Sequence, residues 1–343
     1  MVIVTKTGTT AEEVAAIEER IRSEGLKPHR IEGARLVIVG VVGDPSEDFR
    51  EQMQIFPGVE RVVRISTPFK LAGAGEGRPA TRIEVGGLTI GGGSTVIMAG
   101  PCTIESREHL METAQQVKQA GATILRGGAY KPRTSPYSFQ GLEVEGLEYL
   151  KEASLATGMP TISEVMEPGL VGTVAAHADI LQIGARNTQN FPLLKEAGKV
   201  ANPVMVKRGP ASTISEWLMS AEYVMAAGNP NVILCERGIR TFDDSTRNTQ
   251  DVAAVAVAKR LSHLPVIIDP SHGTGVWHLV EPLALAGLAA GADGIMVEVH
   301  PSPELALADG PQSLTFENFD LLMSGVRRVA AAMDRPLSEL VSA

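Results

Sequence analysis

Four side chains able to hold a metal ion stand in short polar segments that follow apolar runs. Cys102 closes Ala99-Gly100-Pro101-Cys102, His272 closes Asp269-Pro270-Ser271-His272, Glu298 lies in Val297-Glu298-Val299-His300, and Asp309 follows soon after. A thiolate, an imidazole and two carboxylates form a mixed sulfur, nitrogen and oxygen donor set for one divalent ion, and manganese, iron, cobalt and zinc all accept it. No HExxH or CxxC spacing marks the set, so only tertiary structure can bring these donors together. Five cations stand in similar segments: Arg126, Lys131, Arg186, Lys207 and Arg237. Cations gathered at one place repel each other unless an anion lies among them. Guanidinium forks suit phosphate and carboxylate. The implied chemistry is an ion acting as a Lewis acid beside an anion pocket.

Taken singly, each of these residues has a commoner role. An isolated cysteine is more often a small buried apolar side chain, which is how Cys235 reads. A lone arginine near a strand end is usually in a surface ion pair, and a lone histidine, as with His177 and His263, is often structural. Asp243-Asp244 reads as a solvated loop pair. Joint placement on one face is what sets the nine apart.

The elements that must place them are regular. Buried strands are predicted over 96–99, 122–127, 160–165, 180–184, 204–207, 232–236, 266–269 and 294–299, with helices such as 106–120, 214–227 and 249–261 between them. Eight strands alternating with helices over roughly 240 residues is the arithmetic of a (β/α)8 TIM barrel. An open doubly wound sheet would carry GxGxxG after its first strand, and none is present. Active sites of such barrels lie at the carboxyl ends of the strands. Closure makes strands seven, eight and one neighbours, which puts His272, Glu298 and Cys102 on one arc with Asp309 from the loop after strand eight. The cations, from strands two, four, five and six, are expected on the opposite arc.

Residues 1–66 read strand, helix, strand, strand, helix, strand, the βαββαβ order of a small ferredoxin-like domain. Thr10-Ala11-Glu12-Glu13 is a capping box opening its first helix, and Val14, Ile17 and Ile21 repeat at helical spacing. Residues 67–93 read as a flexible linker, rich in Gly and Pro, followed by a β-hairpin turning at Gly86-Gly87, and 94–343 as the barrel.

Bulk properties narrow the class. Of 343 residues 44% are hydrophobic but only 4% aromatic, so the core is aliphatic, as in buried parallel strands. A net charge of −9 argues against nucleic-acid binding and still allows a local cationic pocket. Two distant cysteines imply no disulfide framework. The first residues lack the layout of a signal peptide, and no apolar run of about 18 residues suggests a membrane span; a cytoplasmic protein is expected.

The strand-end segments resemble the motifs of 3-deoxy-D-arabino-heptulosonate-7-phosphate (DAHP) synthases, above all 125–136, Leu-Arg-Gly-Gly-Ala-Tyr-Lys-Pro-Arg-Thr-Ser-Pro, with 99–102, 182–187, 235–238, 269–272 and 297–300. The resemblance spans about residues 94–335, and the front domain resembles that of the family's short branch. It implies condensation of phosphoenolpyruvate with erythrose 4-phosphate, and a divalent ion held by Cys102, His272, Glu298 and Asp309. It places phosphoenolpyruvate on Arg126, Lys131, Arg186, Lys207 and Arg237, with Arg186 and Arg237 nearer the phosphate. Arg133 and Thr134 would grip the phosphate of the aldose, and Lys131 and Glu164 become candidates for proton donation and water activation. The sister KDO-phosphate synthases, which use arabinose 5-phosphate, resemble Lys-Ala-Asn-Arg-Ser where this chain has Lys-Pro-Arg-Thr.

The resemblance further implies a homotetramer and feedback inhibition by tyrosine or phenylalanine through the front domain. His29 is the candidate inhibitor-binding residue, while Ile31 departs from the small polar residue that would help bind an amino acid. A Schiff-base aldolase at Lys207 and a catalytically silent sensor are the remaining rivals.

Overall fold

The structure is a computed structural model that describes residues 1–32, 36–64, 68–75, 78–132, 135 and 137–340. The chain divides into two compact units, Met1–Pro68 and Phe69–Ala343.

The first unit runs β1 (Val2–Thr5), α1 (Ala11–Ser23), β2 (Lys27–Glu32), β3 (Val37–Val42), α2 (Glu47–Gln54) and β4 (Val59–Val63). Its antiparallel sheet has the order β2-β3-β1-β4, the ferredoxin-like arrangement. Helix α1 starts where the sequence says it should, because the Thr10 hydroxyl accepts from Glu13 N while the Glu13 carboxylate accepts from Thr10 N. Its Val14, Ile17 and Ile21 pack with Ile3, Val39, Phe49 and Met53. His29 lies on β2, an edge strand whose residues are mostly exposed.

The second unit opens with the antiparallel pair β5 (Ile83–Val85) and β6 (Leu88–Ile90). Eight repeats follow: β7 (Val96–Gly100) and α3 (Arg107–Ala120), β8 (Ile124–Arg126) and α4 (Glu143–Thr157), β9 (Thr161–Val165) and α5 (Val171–Ala175). Then come β10 (Ile180–Ile183) and α6 (Phe191–Ala197), β11 (Val204–Lys207) and α7 (Ile214–Ala226), β12 (Val232–Glu236) and α8 (Val252–Leu261). The last two are β13 (Val266–Ile268), followed by the short α9 (Pro270–Thr274) and α10 (Val280–Ala289), and β14 (Gly294–Glu298) with α11 (Phe316–Ala332). The eight strands form a closed, all-parallel barrel in which β14 pairs with β7. Among the described residues no helix is long and apolar enough to cross a membrane.

Side chains on a strand alternate between its two faces. Ile97, Leu125, Leu181, Val206, Leu234, Ile268 and Val297 pack outward with the helices. Val96, Met98, Ile124, Ile162, Ile180, Met205, Ile233, Ile267 and Met296 fill the barrel. The β5–β6 pair adds Ile83, Val85, Leu88 and Ile90 to that inner set, and its Gly86 sits against Pro160, just ahead of β9. The hairpin therefore seals the amino-terminal end, each of its buried aliphatics contributing about 2 kcal/mol. Cys235 belongs to the same inner floor, fully buried.

The stretch expected as a flexible linker behaves differently over its first residues. The Glu222 carboxylate on α7 accepts from the backbone N–H groups of Lys70, Leu71 and Ala72 at 2.8–2.9 Å, and Phe69 and Ala72 are buried in the barrel unit's core. Ala74 N donates to Leu261 O at 2.9 Å. Glycine and proline content signals the absence of regular structure; it says nothing about tethering by a distant carboxylate. Helix α8 also starts later than expected, at Val252 with Asp251 as its cap, which lengthens the loop from β12. Glu222→Ala should leave three amides without their acceptor and speed proteolytic cleavage within 69–80 about tenfold, the equivalent of one to two hydrogen bonds. Unchanged cleavage kinetics would show that the tether contributes nothing.

Candidate active site

One step past the inner apolar floor, the alternation that buried Ile124, Ile162, Ile180, Met205, Ile267 and Met296 turns the next inward position polar. These positions are Arg126, Glu164, Gln182, Lys207, Asp269 and Glu298, and Arg237 follows two beyond Cys235. The site is thus the upper layer of the barrel's own packing. On β7 the corresponding position is Gly100, at φ +150°, where a Cβ would lie 2.2 Å from the Arg126 carbonyl oxygen. Glycine alone lets β7 end against β8 and deliver Cys102.

The donor atoms of Cys102, His272, Glu298 and Asp309 all lie within 4.8 Å of one another. The Cys102 thiol donates to Asp309 Oδ2 at 3.1 Å, and His272 Nε2 lies 3.3 Å from Glu298 Oε1. That Oε1 is buried and has no hydrogen-bond partner, although Arg126 Nη2 stands 3.1 Å away without the geometry of a bond. Glu298 Oε2 accepts from Gln312 Nε2 at 2.7 Å, and His272 Nδ1 meets Asp269 Oδ2 at 2.8 Å. His272 is thereby oriented with Nε2 toward the cluster, the usual arrangement of a ligating imidazole. Burial, against the pull of Asp269 and Glu298, lowers its pKa to about 4, so it is neutral and able to ligate. Burial, and then Glu298, raises the Cys102 thiol well above its ordinary range, while Lys131 opposes them. Asp309 occupies the left-handed region at φ 54°, which aspartate tolerates better than most residues. Burial would raise its carboxyl, but Lys131 outweighs it and holds it low. An orphaned carboxylate oxygen, a neutral imidazole, a second carboxylate and a thiol converging at one point fit a divalent metal ion.

The cations do not form a separate arc. Lys131 Nζ donates to Cys102 Sγ at 2.6 Å and to Asp309 Oδ2 at 2.8 Å, Arg126 faces Glu298, and Lys207 Nζ bonds Asp269 Oδ2 at 2.5 Å. Placement by strand number alone missed this: β8 pairs directly with β7, so Arg126 and the loop that carries Lys131 stand next to Cys102, and Lys207 reaches past β12 to Asp269. Burial would pull Lys131 down; Cys102, Glu298 and Asp309 raise it instead, so it stays an ammonium. Arg186 and Arg237 form no ion pair among the described residues. Arg186 is exposed and donates to Pro132 O at 3.3 Å. Arg237 is 7% exposed with its Nε buried and unsatisfied, and Arg126 Nη1 is orphaned in the same way. Burial lowers the Arg237 pKa although Asp269 opposes it. Buried donors without acceptors are aimed at something that must bring its own acceptors.

Lys131, Glu164, Gln182, Arg186, Lys207, Arg237, His272 and Asp309 line a cavity of about 460 Å³, and Cys102 and Arg126 line a smaller pocket that adjoins it. Glu164 Oε2 accepts from Gln182 Nε2 at 3.1 Å. Arg133 and Thr134 lie outside the described residues. The structure adds members that sequence reasoning did not select. Asp269 joins Lys207 to His272, Gln312 joins Glu298 to Arg247 at 2.9 Å, and Arg240 and Arg247 line the cavity rim. Asp269 could have been found from its inward parity with Ile267; Gln312 and Arg247 sit in loops with no periodic signal. His177 and His263 are held by backbone carbonyls, Thr173 O at 2.8 Å and Leu71 O at 2.7 Å.

A closed (β/α)8 barrel with a soft and hard donor cluster and orphaned guanidinium groups at the carboxyl ends of its strands defines a barrel enzyme built for anionic substrates. The comparisons give it a family. A sequence profile of the DAHP synthetase I family matches residues 74–333, and one for the DAHP synthase ferredoxin-like domain matches residues 1–67. The chain belongs to the DAHP synthetase I family and is an enzyme of that family. A phospho-2-dehydro-3-deoxyheptonate aldolase from Thermotoga maritima is 48% identical over 97% of this chain and 98% of the relative. A crystal structure of the Thermotoga maritima DAHP synthase superposes with a TM-score of 0.94 at 47% identity, covering 98% of each chain. A 2-dehydro-3-deoxyphosphooctonate aldolase from Caulobacter vibrioides is 32% identical over 71% of this chain and 91% of its own length.

The donor set makes a prediction of its own. Cys102 must lose a proton to ligate whereas His272 is already neutral, so cobalt(II) affinity should rise about tenfold per pH unit through neutrality. Spectroscopic titration should show a sulfur-to-cobalt charge-transfer band, absent from Cys102→Ser along with the pH slope. A wild-type affinity flat with pH would remove the thiolate from the set.

Proposed function

We propose that the chain joins phosphoenolpyruvate, erythrose 4-phosphate and water to give DAHP and inorganic phosphate, the first step of the shikimate pathway. One observation carries this reading: buried arginine nitrogens without acceptors stand beside the thiol, imidazole and carboxylate cluster, Arg237 on the cavity that Lys131, His272 and Asp309 line and Arg126 on the adjoining pocket with Cys102. Family membership supplies the reaction that such a pocket serves.

Arg186 and Arg237, which have no carboxylate partner among the described residues, take the phosphate of phosphoenolpyruvate. Arg126, Lys131 and Lys207 take its carboxylate. Arg133 and Thr134 hold the phosphate of erythrose 4-phosphate, a role resting on the motif resemblance. Cys102, His272, Glu298 and Asp309 hold one divalent ion: manganese, iron, cobalt or zinc. When bound, the ion polarises the aldehyde carbonyl as a Lewis acid.

The enol carbon of phosphoenolpyruvate then bonds to the aldehyde carbon. Lys131 Nζ, kept protonated among Cys102, Glu298 and Asp309, delivers its proton to the former aldehyde oxygen. Glu164, held by Gln182 on the cavity wall, orients the water that adds to the carbon bearing the phosphate. Cleavage of that carbon's bond to oxygen releases inorganic phosphate.

The reading as a KDO-phosphate synthase using arabinose 5-phosphate has less support: 32% identity over 71% of the chain, against 48% over 97%. The ferredoxin-like unit is read as a regulatory domain answering to tyrosine or phenylalanine. His29, on its exposed edge strand, is the proposed contact, with the exposed Ile31 the feature least suited to an amino acid. A homotetramer in the cytoplasm completes the reading.

Phosphoenolpyruvate consumption with erythrose 4-phosphate should vanish with a chelator and return on adding back manganese or cobalt. Turnover that survives the chelator, or that runs faster with arabinose 5-phosphate, would refute the reading. Lys131→Met should lower kcat by about 10²–10⁴ at saturating substrates, the usual worth of a general acid; near-normal turnover would reassign the proton. Removing residues 1–66 should leave an active barrel insensitive to tyrosine and phenylalanine, measured as initial rates with each amino acid.

A further inference from the structure

Arg237, the residue immediately after β12, sits between two residues whose environment no substrate contact explains. Glu236 points the other way, with Leu234, and is fully buried. Its Oε1 accepts from the backbone N–H of Gly238 at 2.8 Å, across the residue that bears the guanidinium. Its Oε2 meets the amide of Gln250, which comes from the far end of the long loop before α8. Gly238 is at φ +83°, and a Cβ there would lie 2.8 Å from the Asn248 Cβ and 3.0 Å from the Gly273 Cα. No side chain fits at position 238, and the Glu236 carboxylate spans the turn to its backbone N–H.

We propose that Glu236 is a positioning residue: bonded to Gly238 N and braced by Gln250, its carboxylate shapes the 236–238 turn so that Arg237 reaches the phosphate of the bound anion. The idea rests on the proposed function for the identity of that anion.

The charged groups around Glu236 are few. Arg208, from the end of β11, stands 3.9 Å from Oε1 and is itself tied to Asp251, at the start of α8, at 2.8 Å and to Ser212 O at 3.0 Å. Arg237 is in the turn itself. Burial pushes the Glu236 carboxyl up to about 7, against the Gly238 N–H and Arg208, while Asp251 adds to the rise. Above neutrality the carboxylate holds the Gly238 amide by a charge-assisted bond; as pH falls through 7 it takes a proton and that bond weakens. Anion affinity acquires a pH dependence from a group that never touches the anion.

Glu236→Gln keeps the shape and removes the charge. The Gln250 Oε1, buried without a partner in the wild type, can turn to accept from the new amide. The measurement is calorimetric binding of phosphoenolpyruvate to the full chain between about pH 6 and about pH 8, spanning the titration, with steady-state kinetics alongside. Above neutrality the variant should bind phosphoenolpyruvate about tenfold more weakly, the worth of one charge-assisted bond, with kcat within about threefold. The wild type's advantage should shrink toward the acid end. Equal affinity in both proteins, a constant ratio across the pH range, or a fall in kcat at unchanged affinity would overturn the proposal.

If Glu236→Gln does not fold, Gln250→Met carries the same test through the other end of the brace, with affinity lost and kcat kept as the supporting result and unchanged affinity as the refuting one. Binding separates this idea from the proposed reaction. A wild type that binds phosphoenolpyruvate without forming product refutes the reaction and leaves the brace open to the same comparison. A wild type that binds neither phosphoenolpyruvate nor inorganic phosphate overturns both.

Discussion

The period-two alternation of a strand, imposed on eight strands closed into a ring, is the constraint from which the rest of the barrel unit follows. Closure removes the sheet edges and gives every strand one inner and one outer face. Aliphatic side chains on the outer face take the helices, and those on the inner face fill the floor sealed by the hairpin at 83–90. The inner positions at the carboxyl ends have no apolar layer above them. Arg126, Glu164, Gln182, Lys207, Asp269 and Glu298 occupy those places, and their backbone is fixed by the ladder beneath.

Charge then organises itself within that ring. Burying so many ionised groups would be prohibitive if each stood alone. Glu298 faces Arg126 and His272; Asp269 holds Lys207 and His272; Lys131 holds Asp309 and Cys102. Each donor of the cluster is thus turned by a neighbour that is not a donor. The buried atoms of this ring left without a hydrogen bond, Glu298 Oε1, Arg126 Nη1 and Arg237 Nε, are the points where a ligand can complete what the protein's own bonding does not.

Much of this could be read without coordinates, for reasons that differ by residue. The strands were legible as short aliphatic runs followed by glycine and polar residues, and the ferredoxin-like unit by its capping box and its Val14, Ile17, Ile21 spacing. Cys102, His272, Glu298 and Asp309 could be picked by donor chemistry and strand neighbourhood. The expected separation of cations from donors failed because β8 pairs with β7, which puts Arg126 and Lys131 directly beside the arc that carries the donors. The supposed flexible segment failed at 69–74 because its partner, Glu222, lies some 150 residues away. Arg247, Gln312 and the Glu236–Gln250 brace were invisible for the same reason: irregular loops carry no period from which a meeting point can be computed.

The sequence by itself determined the classes of element, their order, the closure of the barrel and the chemical types available at its mouth. These follow from short-range alternation, helix caps and composition, which are local properties. Only the tertiary structure decided which acid neutralises which base, which nitrogens stay unpaired, and which buried carboxyl stands behind Arg237. Those outcomes depend on distances of a few ångströms between residues far apart in the chain, and electrostatic pairing in a low-dielectric interior is decided at that scale.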